Sequence, residues 1–250
     1  MRIPGEGTDQ LINRREEAQV YIAIDGKNIC DEIVYINPDN GHKITEFLEG
    51  SRVCDPNNVD DLKMCMKKLK EFHALNLSVG HEFDIFKQII FYEKLWHGAY
   101  IYKDYEKTKE HVFELRDYIK VHVGKKCLSH IDAVPDNFLF TESGDIRLID
   151  WEYAGMQDPH VDIAMFCIYA LYNKRQVDRL INIYFENKCD KETRLKIYCY
   201  IAACGLLWSN WCEYKRSLGV EFGEYLLRKY RFAKDYYKYF MEENIENESK

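Results

Sequence analysis

The stretch HIDAVPDNFLF, from His130 to Phe140, places a histidine, two acids, a proline and an asparagine directly before an apolar run. Asp132 and Asn137 are five residues apart, and Asp150 lies eighteen residues beyond Asp132, at the end of RLID. The turn TESGD between FLF and RLID predicts a β-hairpin that folds Asp150 back toward the other two side chains. An aspartate and an asparagine five residues apart are by themselves typical of a surface turn. The same pair preceded by His130 and followed by a hairpin that ends in Asp150 is far more specific for a catalytic loop.

Such a polar set suits phosphoryl transfer from ATP. One carboxylate receives or orients the proton of the substrate hydroxyl, while a second carboxylate and an amide oxygen hold magnesium against the phosphates. Magnesium prefers hard oxygen ligands and keeps several waters, so one carboxylate and one amide suffice from the protein.

Size and composition exclude several classes of protein. The 250 residues are 46% hydrophobic, enough for one large domain or two small ones, and the formal net charge is -7. This charge disfavours a nucleic-acid binder and a partner at an anionic membrane surface. No apolar run is long enough to span a bilayer and the first ten residues contain no signal core, so the sequence predicts a cytoplasmic protein without a membrane partner. Nine cysteines without a CxxC spacing favour reduced thiols over a disulfide framework or a zinc site.

The apolar periodicity predicts an α+β fold with a small β lobe, a hinge near residues 46–50 and a large helical lobe. Helices are expected at 11–21, 59–75, 83–96, 108–123 and through most of 161–240, and strands at 32–36, 42–48, 127–130, 138–140 and 147–150. Asn40-Gly41 between the first two strands is a strong hairpin signal. The polar set lies in the only β-rich insert of the helical lobe.

HIDAVPDNFLF followed by IDWEYAGMQDPHVDIAMF resembles the catalytic segment of the choline/ethanolamine kinase family, and within it the bacterial LicA-type choline kinases. The similarity includes RIPGEGTDQLINRREEA at the start and extends over essentially the whole chain. It places the chain near the aminoglycoside phosphotransferases in the protein-kinase-like superfamily. The resemblance implies a bilobal fold, ATP as co-substrate, Mg²⁺ as cofactor and transfer of the γ-phosphate to a small alcohol.

The resemblance also implies roles for the polar residues. Asp132 corresponds to the catalytic base, and Asn137 and Asp150 correspond to the magnesium ligands. Asp162 matches an acid that anchors the catalytic loop, and we interpret His130 as a second structural support of this loop.

For the nucleotide, the resemblance places Arg2 where kinases carry the phosphate-pairing lysine, with Glu17 as its ion-pair partner. The segment Glu46, Phe47 and Leu48 matches the hinge whose backbone groups bind the adenine edge. The sequence GEGT at 5–8 is expected to be a simple turn, because position 10 is Gln10 and the GxGxxG pattern is incomplete.

For the acceptor, Trp208 and Trp211 share a helix face at i, i+3 spacing. Paired aromatics at this spacing are more often part of a core, but they could also bind a quaternary ammonium group, which offers no hydrogen-bond donors. The resemblance favours the second interpretation, because LLWSNW matches the tryptophan pair of the family's choline pocket. Tyr169 and Tyr225 are weaker candidates for the same pocket.

The resemblance further predicts that residues 1–48 are the remnant of a small nucleotide-binding lobe with its hinge, and that 49–250 form a large helical lobe with the catalytic loop and substrate pocket. RIPG matches the third strand of the family's small lobe, so two strands and a phosphate loop have no counterpart before Met1. From this we expect weak ATP binding, a destabilised small lobe and self-association through the exposed RIPG strand.

The function predicted from the sequence is that of a choline kinase that makes phosphocholine. Ethanolamine kinase and aminoglycoside phosphotransferase are the enzymatic alternatives, and a catalytically impaired kinase-like protein that binds choline or nucleotide is the alternative of another class. A protein kinase is disfavoured, because Trp151 and Glu152 follow Asp150 where protein kinases have Phe-Gly.

Overall fold

The computed structural model describes residues 1–5, 8, 10–96 and 101–248. The helices are α1 (Arg14–Ile24), α2 (Val59–Ala74), α3 (Ile85–Leu95), α4 (Tyr105–His122), α5 (His160–Tyr169), α6 (Lys174–Tyr184), α7 (Lys191–Ser217) and α8 (Glu224–Glu248). The strands are β1 (Ile33–Ile36), β2 (Lys43–Thr45), β3 (Arg52–Val53), β4 (Cys127–Ser129), β5 (Phe138–Phe140), β6 (Ile146–Leu148) and β7 (Gly155–Gln157), and a 3₁₀-helix covers Pro135–Asn137.

The chain forms two compact units, Met1–Phe83 with Lys125–Asn187 and Asp84–Gly124 with Lys188–Lys250. The first contains all described strands, and the second contains only helices among its described elements. This mixture of elements confirms the predicted α+β class. The division into a nucleotide-binding lobe at 1–48 and a helical lobe at 49–250 stays a prediction. The GEGT turn includes positions 6 and 7, which lie outside the described residues.

The predicted N-terminal hairpin is confirmed, with β1 and β2 pairing antiparallel. Gly41 in its turn has a φ of 69°, and an added Cβ would lie 2.6 Å from Nε of Arg14. Arg2 exchanges backbone hydrogen bonds with Lys43 at 2.7 and 3.1 Å. This pairing fixes the start of the chain against β2, while the neighbouring Ile3 is exposed. Self-association through this strand stays a prediction.

Short strands build the framework around the predicted catalytic loop. The three-stranded sheet has the order β3-β5-β6, and β4 pairs with β7. The predicted strands at 127–130, 138–140 and 147–150 are confirmed as β4, β5 and β6. Sequence reasoning missed β3 and β7, because RV and GMQ are not part of a recognisable apolar run.

The second unit is organised around α7, which packs against α3, α4 and α8. Most of its side chains are buried on all sides, as expected for a helix at the centre of a bundle. Gly205 permits close approach to α8, since an added Cβ would lie 2.8 Å from Cβ of Phe232. Of the helices described, none is both long and apolar enough to cross a membrane.

Candidate active site

Asp132 and Asn137 contact each other in the loop after β4. Asn137 closes the 3₁₀-helix, and its Nδ2 donates to the backbone oxygen of Asp132 at 2.8 Å and to the carboxylate Oδ2 at 3.3 Å. The backbone oxygen of Asn137 accepts a hydrogen bond from the N–H of Ile149 at 2.9 Å. The loop is thereby tied to the segment that leads to Asp150.

Asp150 is brought to the same loop by the β5–β6 hairpin. Phe138, the neighbour of Asn137, pairs with Leu148, two residues before Asp150. The Asp150 side chain is 42% exposed, and its backbone φ of 65° is a conformation that aspartate tolerates better than most residues. An accessible carboxylate next to a buried amide provides hard oxygen ligands of the kind that Mg²⁺ prefers.

A carboxylate and an amide oxygen are donor types that fit magnesium, and the assignment of Asp150 and Asn137 as its ligands stays a prediction. Within the described ranges, no three His, Cys, Asp or Glu side chains form a metal-binding group. A magnesium site in a kinase does not require one, because phosphate and water oxygens complete the coordination. Because its Nδ2 is directed to Asp132, the Asn137 side chain does not use its amide oxygen in that contact.

The backbone before Asp132 is held by Asp162. Ile131 has a φ of 67°, which is unfavourable for a β-branched residue. Asp162 accepts hydrogen bonds from the backbone N–H of Ile131 at 2.7 Å and of His130 at 2.9 Å. Contacts of this kind are what the anchoring role implied by the resemblance would require of Asp162, and that role stays a prediction.

His130 connects the loop to the Asp150 segment. Its Nε2 lies 2.9 Å from the carbonyl oxygen of Ile149, and its ring lies 4.4 Å from that of Trp151. The imidazole is buried, and this burial lowers its pKa. An imidazole that donates from Nε2 to a carbonyl can brace the loop, and the structural role of His130 stays a prediction.

The predicted nucleotide-site pair, Arg2 and Glu17, forms an ion pair. Nη1 of Arg2 lies 2.6 Å from Oε1 of Glu17, and Nη2 donates to Oε2 at 2.7 Å. The same guanidinium lies 3.7 Å from Asp150. Arg2 therefore connects helix α1 to the proposed magnesium ligand.

Sequence reasoning missed two further members of this cluster, Arg14 and Glu152. Nη1 of Arg14 lies 3.0 Å from both Glu17 and Glu152, and Nη1 of Arg2 lies 3.2 Å from Glu152. Burial, and then the charge of Asp150, raises the pKa of Glu152. The i, i+3 spacing of Arg14 and Glu17 on α1 is the sequence signal that could have identified the first of them.

The predicted hinge, Glu46 to Leu48, follows β2 without forming a strand. Phe47 is 85% exposed, and the N–H of Glu46 donates to the carbonyl of Glu32 at 2.8 Å. In the described part of the chain, neither the Glu46 carbonyl nor the Leu48 N–H takes part in a backbone hydrogen bond outside the helices and strands. This segment therefore has one backbone acceptor and one backbone donor outside these hydrogen bonds, and its role as the adenine-binding hinge stays a prediction.

The second unit contains the tryptophan pair on α7. The ring centroids of Trp208 and Trp211 are 5.6 Å apart, and Phe222 lies 5.7 Å from Trp211. Tyr225 continues the row at 6.4 Å from Phe222. Trp208 is only 2% exposed, which favours a core role, whereas Trp211 is half-buried. Phe222 was missed by sequence reasoning, because it lies in a connecting segment.

Tyr169, the remaining aromatic candidate, lies at the end of α5 in the first unit and is half-buried. Three of the four aromatic candidates thus share a unit, and the assignment of all four to the substrate stays a prediction.

Known proteins resemble this chain in sequence and in fold. A family model described as choline/ethanolamine kinase matches residues 1–203. Protein LicA of Haemophilus influenzae is 29% identical over 248 residues, covering 92% of this chain and 90% of that protein. The crystal structure of choline kinase LicA from Streptococcus pneumoniae matches with a TM-score of 0.84 at 26% identity, covering 95% of this chain and 84% of that chain. A crystal structure of LicA in complex with AMP also gives a TM-score of 0.84, at 26% identity over 96% of this chain and 83% of that chain. These matches confirm the protein-kinase-like fold expected from the sequence.

Proposed function

The chain belongs to the choline/ethanolamine kinase family, and from that premise we propose that it transfers the γ-phosphate of ATP to the hydroxyl of choline, giving phosphocholine. The observation that carries the proposal is the assembly of Asp132, Asn137 and Asp150 around one loop and one hairpin. Each residue type is the one that phosphoryl transfer requires at its position.

In this mechanism Asp132 accepts the proton of the choline hydroxyl as the oxygen attacks the γ-phosphorus of ATP, and the bond from this phosphorus to the bridging oxygen of the β-phosphate breaks to release ADP. The contact with Nδ2 of Asn137 orients the carboxylate. Asn137 and Asp150 would hold Mg²⁺, which neutralises charge on the phosphate oxygens. Arg2 pairs with a phosphate oxygen, and Glu17 holds the guanidinium in place. Because phosphoryl transfer requires little covalent chemistry from the protein, positioning and charge account for most of the rate.

A substrate comparison tests the proposal directly. We expect ATP consumption with choline to exceed that with ethanolamine, kanamycin or thiamine, because a quaternary ammonium suits aromatic rings while primary ammonium groups require hydrogen-bond acceptors. A higher kcat/KM with ethanolamine would move the assignment to ethanolamine kinase. Turnover of kanamycin alone would favour an aminoglycoside phosphotransferase, and ligand binding without turnover would favour a kinase-like binding protein.

We expect Trp211→Ala to raise the KM for choline by about 2- to 30-fold, the equivalent of losing roughly 0.5–2 kcal/mol of cation–π energy. The KM for ATP should change less. Trp211→Phe retains a ring face and serves as the matched control. If both variants bind choline like the wild type, the pair on α7 is part of the core and not of the substrate site.

Arg2→Gln should raise the KM for ATP by about 10- to 100-fold, since a charged hydrogen bond contributes roughly 1.5–3 kcal/mol. Arg15→Gln is the control, because Arg15 is exposed and pairs only with Asp39 in the described contacts, at 2.9 Å. Steady-state kinetics with ATP as the varied substrate measures the effect. An equal change in both variants would argue against a specific role for Arg2.

A further inference from the structure

A row of buried polar groups lies behind the catalytic loop. The Tyr184 hydroxyl lies 2.9 Å from Nδ1 of His73, and Nε2 of His73 lies 2.8 Å from Oδ2 of Asp162. Asp162 in turn binds the backbone N–H groups of His130 and Ile131. All five residues are buried. The row therefore links α6 and α2 to the residue that precedes Asp132.

The hydrogen bonds determine the proton positions on His73. A carboxylate only accepts hydrogen bonds, so Nε2 of His73 must carry the proton that it shares with Asp162. In a neutral ring Nδ1 is then an acceptor, and the Tyr184 hydroxyl must be its donor. Burial, and then the charge of Asp162, raises the pKa of Tyr184, which keeps the hydroxyl protonated. Tyr184 and Asp162 thus favour one tautomer of His73 from opposite sides.

The row of hydrogen bonds ends at the strained backbone of Ile131, directly before Asp132. A β-branched residue at a φ of 67° is strained and persists only where its surroundings impose this conformation. The two backbone N–H groups bound by Asp162 belong to Ile131 and His130. If Asp162 rotated, Ile131 could relax and the Asp132 carboxylate would move.

We propose that His73 and Tyr184 are positioning residues for Asp132. Tyr184 fixes His73 as the Nε2–H tautomer, and His73 holds the Asp162 carboxylate in the orientation that keeps Ile131 left-handed. The inference rests on the proposed role of Asp132 in phosphoryl transfer, but the tautomer itself can be observed without any activity.

Long-range ¹H–¹⁵N NMR of histidine-labelled protein at neutral pH tests the tautomer. His73 should show the Nε2–H pattern in the wild type, and Tyr184→Phe, which removes the donor to Nδ1 but leaves Asp162 in place, should convert it to the doubly protonated ring. A wild-type Nδ1–H tautomer, a wild-type imidazolium, or a spectrum unchanged in Tyr184→Phe would each overturn the proposal. Its failure is distinguishable from that of the proposed function, which fails if the wild type phosphorylates none of the tested alcohols.

Kinetics tests the positioning. His73→Ala should lower kcat by about 10- to 100-fold, the loss typical of a misplaced catalytic group, with the KM values for ATP and choline nearly unchanged. Tyr184→Phe should lower kcat by about 3- to 10-fold. Because Tyr184 acts through His73, the double variant should be no slower than His73→Ala.

Tyr172→Phe is the matched control, since Tyr172 is equally buried and its hydroxyl bonds to the carbonyl of Pro56. It should lower stability to a similar degree without changing kcat. Equal kcat losses in the two tyrosine variants, or additive effects in the double variant, would refute positioning. If His73→Ala does not fold, His73→Gln replaces it, because the glutamine amide retains a donor for Asp162. Its kcat should then be closer to the wild type than that of His73→Leu, which lacks this donor, and equal kcat values in the two folded variants would refute the role of His73.

Discussion

Asp132→Ala is expected to lower kcat by at least about 100-fold, the low end of the effect of removing a positioned general base. The fold should persist, because the Asp132 side chain is only partly buried and Asn137 also binds its backbone oxygen. Asp132→Asn retains the shape and removes only the basic group, so it should be impaired to a similar degree. Turnover of ATP with saturating choline measures the loss.

Asp136→Ala is the control for this experiment. Asp136 lies in the same loop, is exposed and makes none of the contacts described for Asp132. It should retain near-wild-type turnover. A folded Asp132→Ala protein that also turned over normally would remove Asp132 from the mechanism.

The second large effect is expected at Asp150, where alanine should abolish magnesium-dependent turnover. Removal of this carboxylate leaves Asn137 as the only protein ligand of the proposed site. Alanine also places a less tolerant residue at a φ of 65°, so some of the loss would reflect backbone strain. Asp150→Asn separates the two causes, because asparagine accepts the left-handed conformation and lacks only the charge.

Turnover measured over a range of Mg²⁺ concentrations distinguishes these variants. Asp150→Asn should remain severely impaired and should require more Mg²⁺ than the wild type. Asp145→Asn changes an exposed acid in the turn of the same hairpin and should have no effect. Wild-type turnover of Asp150→Asn at ordinary Mg²⁺ would contradict the assignment of Asp150 as a ligand.

The polar set of Asp132, Asn137 and Asp150 could be predicted from the sequence because its members lie on one continuous segment. Asp132, Asn137 and Asp150 are separated only by a short helix and a hairpin, whose turn residues are recognisable. The long helices were predicted for a similar reason, since many turns of apolar periodicity identify them. The hairpin and the long helices depend on residues that are close in the chain, so turn residues and apolar periodicity were sufficient to predict them.

Features that depend on distant partners could not be predicted in this way. His73 and Tyr184 are 111 positions apart, and no local pattern indicates that one hydroxyl reaches one imidazole. Arg14 and Arg15 are adjacent and chemically identical, yet only the first is buried against Glu17 and Glu152. The choice between them depends on the face of α1 that packs inward, which is decided by tertiary structure.

Arg2 shares its guanidinium among Glu17, Glu152 and Asp150, so in the proposed ATP complex a phosphate would compete with these carboxylates for its N–H groups. Binding at this position would then be an exchange of anions and not the neutralisation of an isolated cation. Dissolved ions weaken the contact that is lost and the contact that is gained to a similar extent. The affinity for ATP should therefore vary little with ionic strength, in contrast to that of a protein whose phosphate-binding arginine points freely into water.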